Sequence, residues 1–205
     1  MFTTCPPSGH TEWWHAHVEV VPGRTLADWR ALPEGTRAEL IRGTLVMSPA
    51  PRVFHQVLVA RFVRALDAAV MADDLGVVLT SPIDVRLADD LGVQPDIVFV
   101  AAERLHILGD QEIDGAPDLV GEVLSPSTGY YDATAKRLAY AEAGVRELWL
   151  IDPGTESGRP SVEVLTLDGT DFRTEARVVQ TGTVSSRLIP GLRLDVETFF
   201  RRVGA

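Results

Sequence analysis

The chain predicts an α/β fold: a central mixed sheet flanked by helices, with antiparallel strands added to it. Three observations carry that expectation. Short apolar runs at Asp96–Val100, Asp118–Leu124 and Glu147–Ile151, rich in Val, Ile, Leu, Phe and Trp and bounded by Pro, Gly or Ser, read as buried strands. The segment between the last two has the length of a helix, and two strands joined in that way favour a parallel crossover. A further segment, Val53 to Ala72, repeats Leu58, Phe62, Ala65, Leu66 and Ala69 at helical spacing, which gives it an apolar face to lay on the sheet.

In chain order, residues 1–24 read as an irregular arm with Pro6-Pro7, Gly9 and the patch T-E-W-W-H-A-H-V-E-V. His15 and His17 alternate as on a strand and could hold a metal, but no third ligand is identifiable, which favours an exposed or subunit-contacting arm. Residues 25–205 read as one domain. Thr25 caps a short helix, L-A-D-W-R-A-L, that ends at Pro33 and Gly35. Residues 37–47 read as a hairpin turning at Arg42-Gly43, and Ser48-Pro49-Ala50-Pro51 separates it from the Val53–Ala72 helix. Val77–Thr80 and Ile83–Leu87 are expected strands, with Asp89-Asp90-Leu91-Gly92 as the turn into the Asp96 strand. Glu103–Leu108 is a short helix or turn and Asp110–Ala116 a loop. Ser125 to Gly129 forms a polar turn whose hydroxyls cap the next helix or orient a ligand. Beyond Asp152-Pro153, S-V-E-V-L-T-L and Phe172–Val179 flank Asp168-Gly169, a strong hairpin signal. Thr183–Ser185 and R-L-I-P-G-L-R-L-D-V follow as further antiparallel additions, and Asp195 caps a last helix.

Acids interrupt this apolar core. Asp96 follows Pro95 at the mouth of its strand, where it either faces water or joins a site. Glu122 lies inside its run between Gly121 and Val123, and a carboxylate there is costly to bury unless it is paired or meets a cation. Lys136 is the one lysine in the chain, beside 18 arginines. A compact ammonium with a movable charge differs from a planar guanidinium, and Lys136 shares a helix face with Ala133, Tyr140 and Ala143, from which it could hang over the strand end carrying Glu122. Glu39 opens the hairpin strand as a solvent-facing acid or a site acid. His55 and Gln56 stand in the first turn of a helix whose positive end suits phosphate, with a capping or core-edge role open to His55 as well.

Asp96, Glu122 and a lysine, with Pro95-Asp96 as the literal "PD", resemble the PD-(D/E)XK nuclease superfamily. More closely, the chain resembles the Uma-type "putative restriction endonucleases" of bacteria. The matching pieces are E-L-I-R-G-T-L-V-M-S-P-A-P at 39–51, His55-Gln56, Gln94-Pro95-Asp96-Ile97, A-P-D-L-V-G-E-V-L-S-P-S-T at 116–128, Lys136 and A-G-V-R-E-L-W-L-I-D-P at 143–153. In the superfamily the lysine stands two residues after the acid, a position held here by Leu124. The Uma-type family displaces it onto the following helix, where Lys136 lies. The resemblance implies a restriction-endonuclease-like fold and metal-dependent hydrolysis of DNA phosphodiesters that leaves a 5′ phosphate. Asp96 and Glu122 would hold Mg²⁺, or Mn²⁺, and Lys136 would orient water or stabilise the phosphorus centre. Glu39 would serve as an outer metal or water ligand, and His55 as a phosphate contact or proton carrier.

Composition narrows the alternatives. No apolar run approaches the roughly 20 residues a membrane-spanning helix needs. The N-terminus lacks the basic and apolar regions of a signal peptide, and the single Cys5 permits no internal disulfide, as expected of a cytoplasmic protein. A net charge of −10 counts against a protein that coats nucleic acid, though a local basic groove is compatible with it. Phosphate-loop, dinucleotide, nucleophile-elbow and zinc motifs are missing. Two functions therefore compete: a Mg²⁺-dependent DNA endonuclease, and a non-catalytic module that keeps the fold and an acidic cation pocket. Cutting both strands of a duplex favours a homodimer, for which the Trp13-Trp14 arm supplies apolar surface.

Overall fold

The computed structural model describes residues 19–125, 129–154 and 158–202, with side chains in all of these except 129–133. The expectations placed on Cys5, Trp13, Trp14, His15 and His17, and on the turn residues Pro126, Ser127 and Thr128, lie outside the described residues.

The chain opens with β1 (Glu19–Pro22), α1 (Leu26–Arg30), β2 (Ala38–Ile41), β3 (Thr44–Met47) and α2 (Val53–Ala72). Next come β4 (Gly76–Thr80), β5 (Asp84–Ala88), β6 (Leu91–Val93) and β7 (Ile97–Ala101), then a 3₁₀ turn over Ala102–Ile107. They lead into β8 (Glu112–Asp114), β9 (Leu119–Val123), α3 (Gly129–Ala143) and β10 (Glu147–Asp152). The chain ends with β11 (Ser161–Asp168), β12 (Asp171–Val179), β13 (Thr183–Ser185), β14 (Arg193–Asp195) and α4 (Val196–Phe200).

The α/β class holds, but the strands divide into two six-stranded mixed sheets. One runs β12-β11-β10-β9-β7-β4 and the other β1-β3-β2-β6-β5-β8, with β13-β14 as a separate ribbon. In the first sheet β9 and β10 are parallel across the α3 crossover, with Leu150 opposite Glu122, while β7 runs antiparallel to β9. The division falls between β4 and β5, where Ser81-Pro82 interrupts the ladder; proline offers no N–H to continue it. Two other expectations change. Leu91 and Gly92 belong to strand β6 rather than a turn, because the reversal is completed at Asp89-Asp90. The expected loop at Asp110–Ala116 contains β8, which pairs in parallel with β5.

Local chemistry fixes several boundaries. Thr25 and Asp28 form a reciprocal capping box that starts α1. Arg42 and Gly43 take φ of 49° and 77°, the left-handed pair that a two-residue β2–β3 hairpin needs. Asp195 accepts from the Thr198 amide and starts α4.

Side-chain alternation then assigns the faces of the β7-β9-β10 sheet. Ile97, Phe99, Leu119, Val123, Trp149 and Ile151 pack towards α2, where Leu58, Phe62 and Leu66 are fully buried. Val98, Val100, Val120 and Leu148 pack towards α3 and the second sheet. Gly121 lets α2 come close: a Cβ there would stand 2.7 Å from Cε1 of Phe62. The same alternation turns Glu122, like Val120, towards α3.

Candidate active site

Glu122 occupies the carboxyl-terminal end of β9, beside the crossover to α3. The Lys136 ammonium reaches back from α3 to lie 2.7 Å from Glu122 Oε1 and 2.9 Å from Glu39 Oε1. The lysine thus arrives at the acid from fourteen residues further along the chain. Four residues on, and so on the same helix face, Tyr140 donates to Glu122 Oε1 at 2.5 Å. Both of these contacts fall on Oε1.

The β7–β9 register pairs Ile97 with Gly121, so its next step sets Asp96 beside Glu122. Asp96 is buried, and of the two readings open to it the water-facing one is excluded. Its Oδ2 accepts the Val123 amide at 2.9 Å, and His55 Nε2 stands 3.0 Å from Oδ1. An ionised carboxylate only accepts, so Nε2 carries the proton of that bond. Nδ1 of His55 is enclosed with no partner among the described residues. Glu39, buried on β2, is anchored by the Gln94 amide at 2.9 Å, and the Gln94 side chain bonds Thr36 O and Asp84 Oδ1. The second sheet therefore delivers Glu39 to a site otherwise built on the first.

Glu39, His55, Gln94, Asp96, Glu122 and Lys136 line one cavity of about 110 Å³, together with Arg37 and Arg52. Burial pushes the Glu122 carboxyl up to about 8; Lys136 opposes that rise, and the Asp96 and Glu39 charges add to it. Burial also acts to raise Asp96, but the His55 hydrogen bond and charge, the Val123 amide and Lys136 bring it below its ordinary value. The Tyr140 phenol, raised well above its usual value by burial and the neighbouring Glu122 charge, stays a donor.

The donor set fits a hard divalent cation. Asp96 and Glu122 both reach the cavity with carboxylate oxygens, and the clustered negative charge that lifts Glu122 is what a cation would relieve. No group of three or more His, Cys, Asp or Glu side chains among the described residues could hold a metal. Hard divalent cations such as Mg²⁺ bind through one or two carboxylates together with waters and substrate phosphate.

Sequence reasoning singled out Asp96, Glu122, Lys136, Glu39 and His55, and all five line this cavity. It missed Tyr140 as a partner of Glu122, although the shared helix face was visible. It also missed Gln94, which stood in a quoted motif without a role, and the arginines, which carry no local signal.

The fold is similar to that of a protein from Anabaena variabilis ATCC 29413 described as "a putative nuclease", with a TM-score of 0.69 and 23% identity over 86% of this chain and 97% of that one. No curated protein matches the chain. The sequence profile of the Uma2 family, described as "Putative restriction endonuclease", matches residues 25–197. The chain belongs to that family.

Proposed function

We propose that the protein is a metal-dependent endonuclease that hydrolyses DNA phosphodiester bonds. The observation that carries this is the meeting of Lys136 with Glu122 at 2.7 Å, in a cavity shared with Asp96. A fold kept for binding alone has no use for a buried ammonium delivered from a neighbouring helix to an acid pair. Family membership and the nuclease-like fold support the same class.

In this reading Asp96 and Glu122 hold Mg²⁺ or Mn²⁺, which supplies Lewis acidity at the phosphate and charge neutralisation. His55 fixes the orientation of Asp96, since Nε2 is engaged and Nδ1 enclosed; this favours a positioning role over phosphate contact. Glu39 and Glu122 share the Lys136 ammonium, whose positive charge would orient water or steady negative charge on phosphorus. Water oxygen bonds to phosphorus, the bond to the 3′ oxygen breaks, and that oxygen takes up a proton, leaving a 5′ phosphate. Both sheets contribute to the cavity, which supports residues 25–205 as one domain. A homodimer working on two strands belongs to the same proposal, with light scattering as its check. Among the described residues no helix is long and apolar enough to cross a membrane.

The test is cleavage of supercoiled plasmid and of labelled DNA and RNA oligonucleotides with Mg²⁺ or Mn²⁺, beside Glu122→Gln. Metal-dependent nicking that the variant loses is expected. Binding without cleavage of any of these substrates, in either metal, would put the non-catalytic module in its place.

A further inference from the structure

The cavity has a basic lining that the acid–lysine chemistry does not use. Arg37, just before β2, and Arg52, the residue before α2, both line it. They come from either end of one structural unit: the Ser48 amide donates to the Arg37 carbonyl at 2.9 Å, which ties the segment leading to Arg52 back to the start of β2. Several guanidinium groups elsewhere meet carboxylates, as in Arg104 and Arg146 on Asp118, or Arg42 on Asp90 and Glu142. Neither Arg37 nor Arg52 forms an ion pair with any described carboxylate. Arg37 is half-buried and its Nε is enclosed with no acceptor among the described residues, so part of its hydrogen-bonding capacity is withdrawn from water and left unused.

Cavity size says what such cations could meet. Pockets that enclose a nucleoside-sized ligand run to about 300–1,000 Å³. At about 110 Å³ this cavity admits a phosphate group and a few waters, not a base and its sugar. What enters is therefore the nucleic-acid backbone. A backbone carries a charge on every phosphate, and the chain as a whole is at −10, so repulsion has to be overcome locally at the mouth. Guanidinium groups suit the task because their planar fork matches phosphate oxygens in pairs. The amino end of α2 begins at Arg52 with no side-chain cap, and its free amides add to the same positive field.

We propose that Arg37 and Arg52 form a phosphate clamp that seats the nucleic-acid backbone in the cavity, binding phosphate without reading bases. This rests on the nuclease reading above and names how the same site recognises its substrate.

The experiment measures affinity for a short fluorescent duplex as a function of NaCl, with Ca²⁺ in place of Mg²⁺ to hold the substrate uncut. Arg37→Gln and Arg52→Gln should each weaken binding and flatten the plot of log K against log salt by roughly 0.9, and the double variant by about twice that. Arg193→Gln, on the separate β13-β14 ribbon, should leave the slope unchanged. In cleavage assays KM should rise while kcat stays within about threefold, since ground-state binding is what is lost. Arg37→Lys keeps the charge and should keep the slope at lower affinity; with Arg52→Gln it carries the test should Arg37→Gln unfold, as a thermal melt would reveal. Wild-type binding whose salt slope none of the substitutions alters overturns the clamp and leaves the nuclease reading standing. Wild-type protein that binds no duplex even at the lowest salt overturns both.

Discussion

Two glutamates sit on neighbouring parallel strands of one sheet, both buried, and the protein treats them in opposite ways. Glu147 opens β10 and turns with Trp149 towards the α2 face. Its carboxylate accepts from Trp149 Nε1 at 2.7 Å, Ser186 Oγ at 2.6 Å, and the Arg187 and Leu188 amides at 3.0 and 3.2 Å. Four neutral donors saturate it and pin the 186–188 segment to the sheet. Glu122 ends β9 and faces α3. It meets one phenol and one ammonium, both on Oε1, beside other carboxylates and an open cavity. Burial is 1% exposed for Glu147 and 9% for Glu122, so depth does not separate an anchor from a reactive acid. The donors do. A carboxylate satisfied by fixed dipoles has nothing left to bind, whereas one set among like charges and a single cation is the kind the proposed function would use to hold a metal. Position agrees: in open α/β sheets ligands gather at the carboxyl ends of parallel strands, where Glu122 stands, rather than at the amino ends, where Glu147 stands.

The sharpest way to break this comparison is to substitute both. Glu122→Gln should lower cleavage by about 1,000-fold, the order expected when charge stabilisation at the reacting centre is removed, while leaving the thermal midpoint close to wild type. Glu147→Ala should do the reverse. It leaves an indole N–H, a hydroxyl and two amides without their acceptor, a loss of roughly 3 kcal/mol or more. For a chain of this size that lowers the midpoint by about 6–12 °C. Activity assays beside thermal melts decide; a Glu147 variant that melts normally but is inactive would remove the distinction between the two acids.

Lys136→Met comes next. Cleavage should fall about 100-fold through loss of the charge that orients water or steadies phosphorus. Stability should respond to pH in a telling way. With the ammonium gone, Glu39 and Glu122 face each other buried, a cost that protonation of one relieves. The variant should therefore be destabilised more at about pH 9 than at about pH 6, in urea titrations at each pH.

How much of this could be read from residues alone differs between the two halves of the site. The strands around Asp96 and Glu122 and the α3 crossover were legible because apolar runs, a helix-length spacer and punctuating prolines are local signals. Lys136 was legible because it is the one lysine. The α2 bounds at Val53 and Ala72 followed from 3.6-residue periodicity and the proline-rich segment before them. The division into two sheets was not legible: β5 and β6 have the same alternation whichever sheet they join, and the choice is made by distant packing of Val85, Val93 and Ile113 against Val98 and Val120. The burial of Glu147 was hidden for the same reason, since its donors at Ser186 to Leu188 are far along the chain. Arg37 and Arg52 line one cavity only because the β2–β3 hairpin brings their segments together.

Acidity offers a graded test of the Glu122 environment. Burial, the leading cause, raises its carboxyl to about 8, so the folded state holds that proton more tightly than the unfolded chain does. Its contribution to stability is present below the ordinary value of 4.5 and is lost as pH rises through about 8. Asp96 has the opposite sign: lowered in the fold, it stabilises above its ordinary 3.8, and that contribution is lost as pH falls through the lowered value. A divalent cation needs Glu122 ionised. Apparent Mn²⁺ affinity by calorimetry should thus fall by about tenfold per pH unit below 8 and level off above it. Proton release on binding, read from buffers of different ionisation enthalpy, should follow the same curve; affinity flat with pH would mean that Glu122 is not a ligand.

Tyr140→Phe has the smallest expected effect and probes the comparison most finely. The ring stays, so the core around Ala139 and Val145 is undisturbed, and only the hydroxyl leaves. Glu122 Oε1 then keeps Lys136 alone, and its charged form loses a hydrogen bond. Net stability should change by about 1 kcal/mol at most, because a buried phenol and its acceptor were both desolvated to make that bond. Activity should fall roughly tenfold, since the hydroxyl fixes which oxygen faces Lys136 and which faces the cavity. Loss of a hydrogen bond to the charged form also moves the carboxyl further up, so the midpoint of the Mn²⁺ affinity curve should shift to higher pH. A merely structural tyrosine would lower the melting temperature and leave that midpoint where it was. The shift in midpoint, read against an unchanged melt, identifies Tyr140 as the group that holds Glu122 in register for its metal.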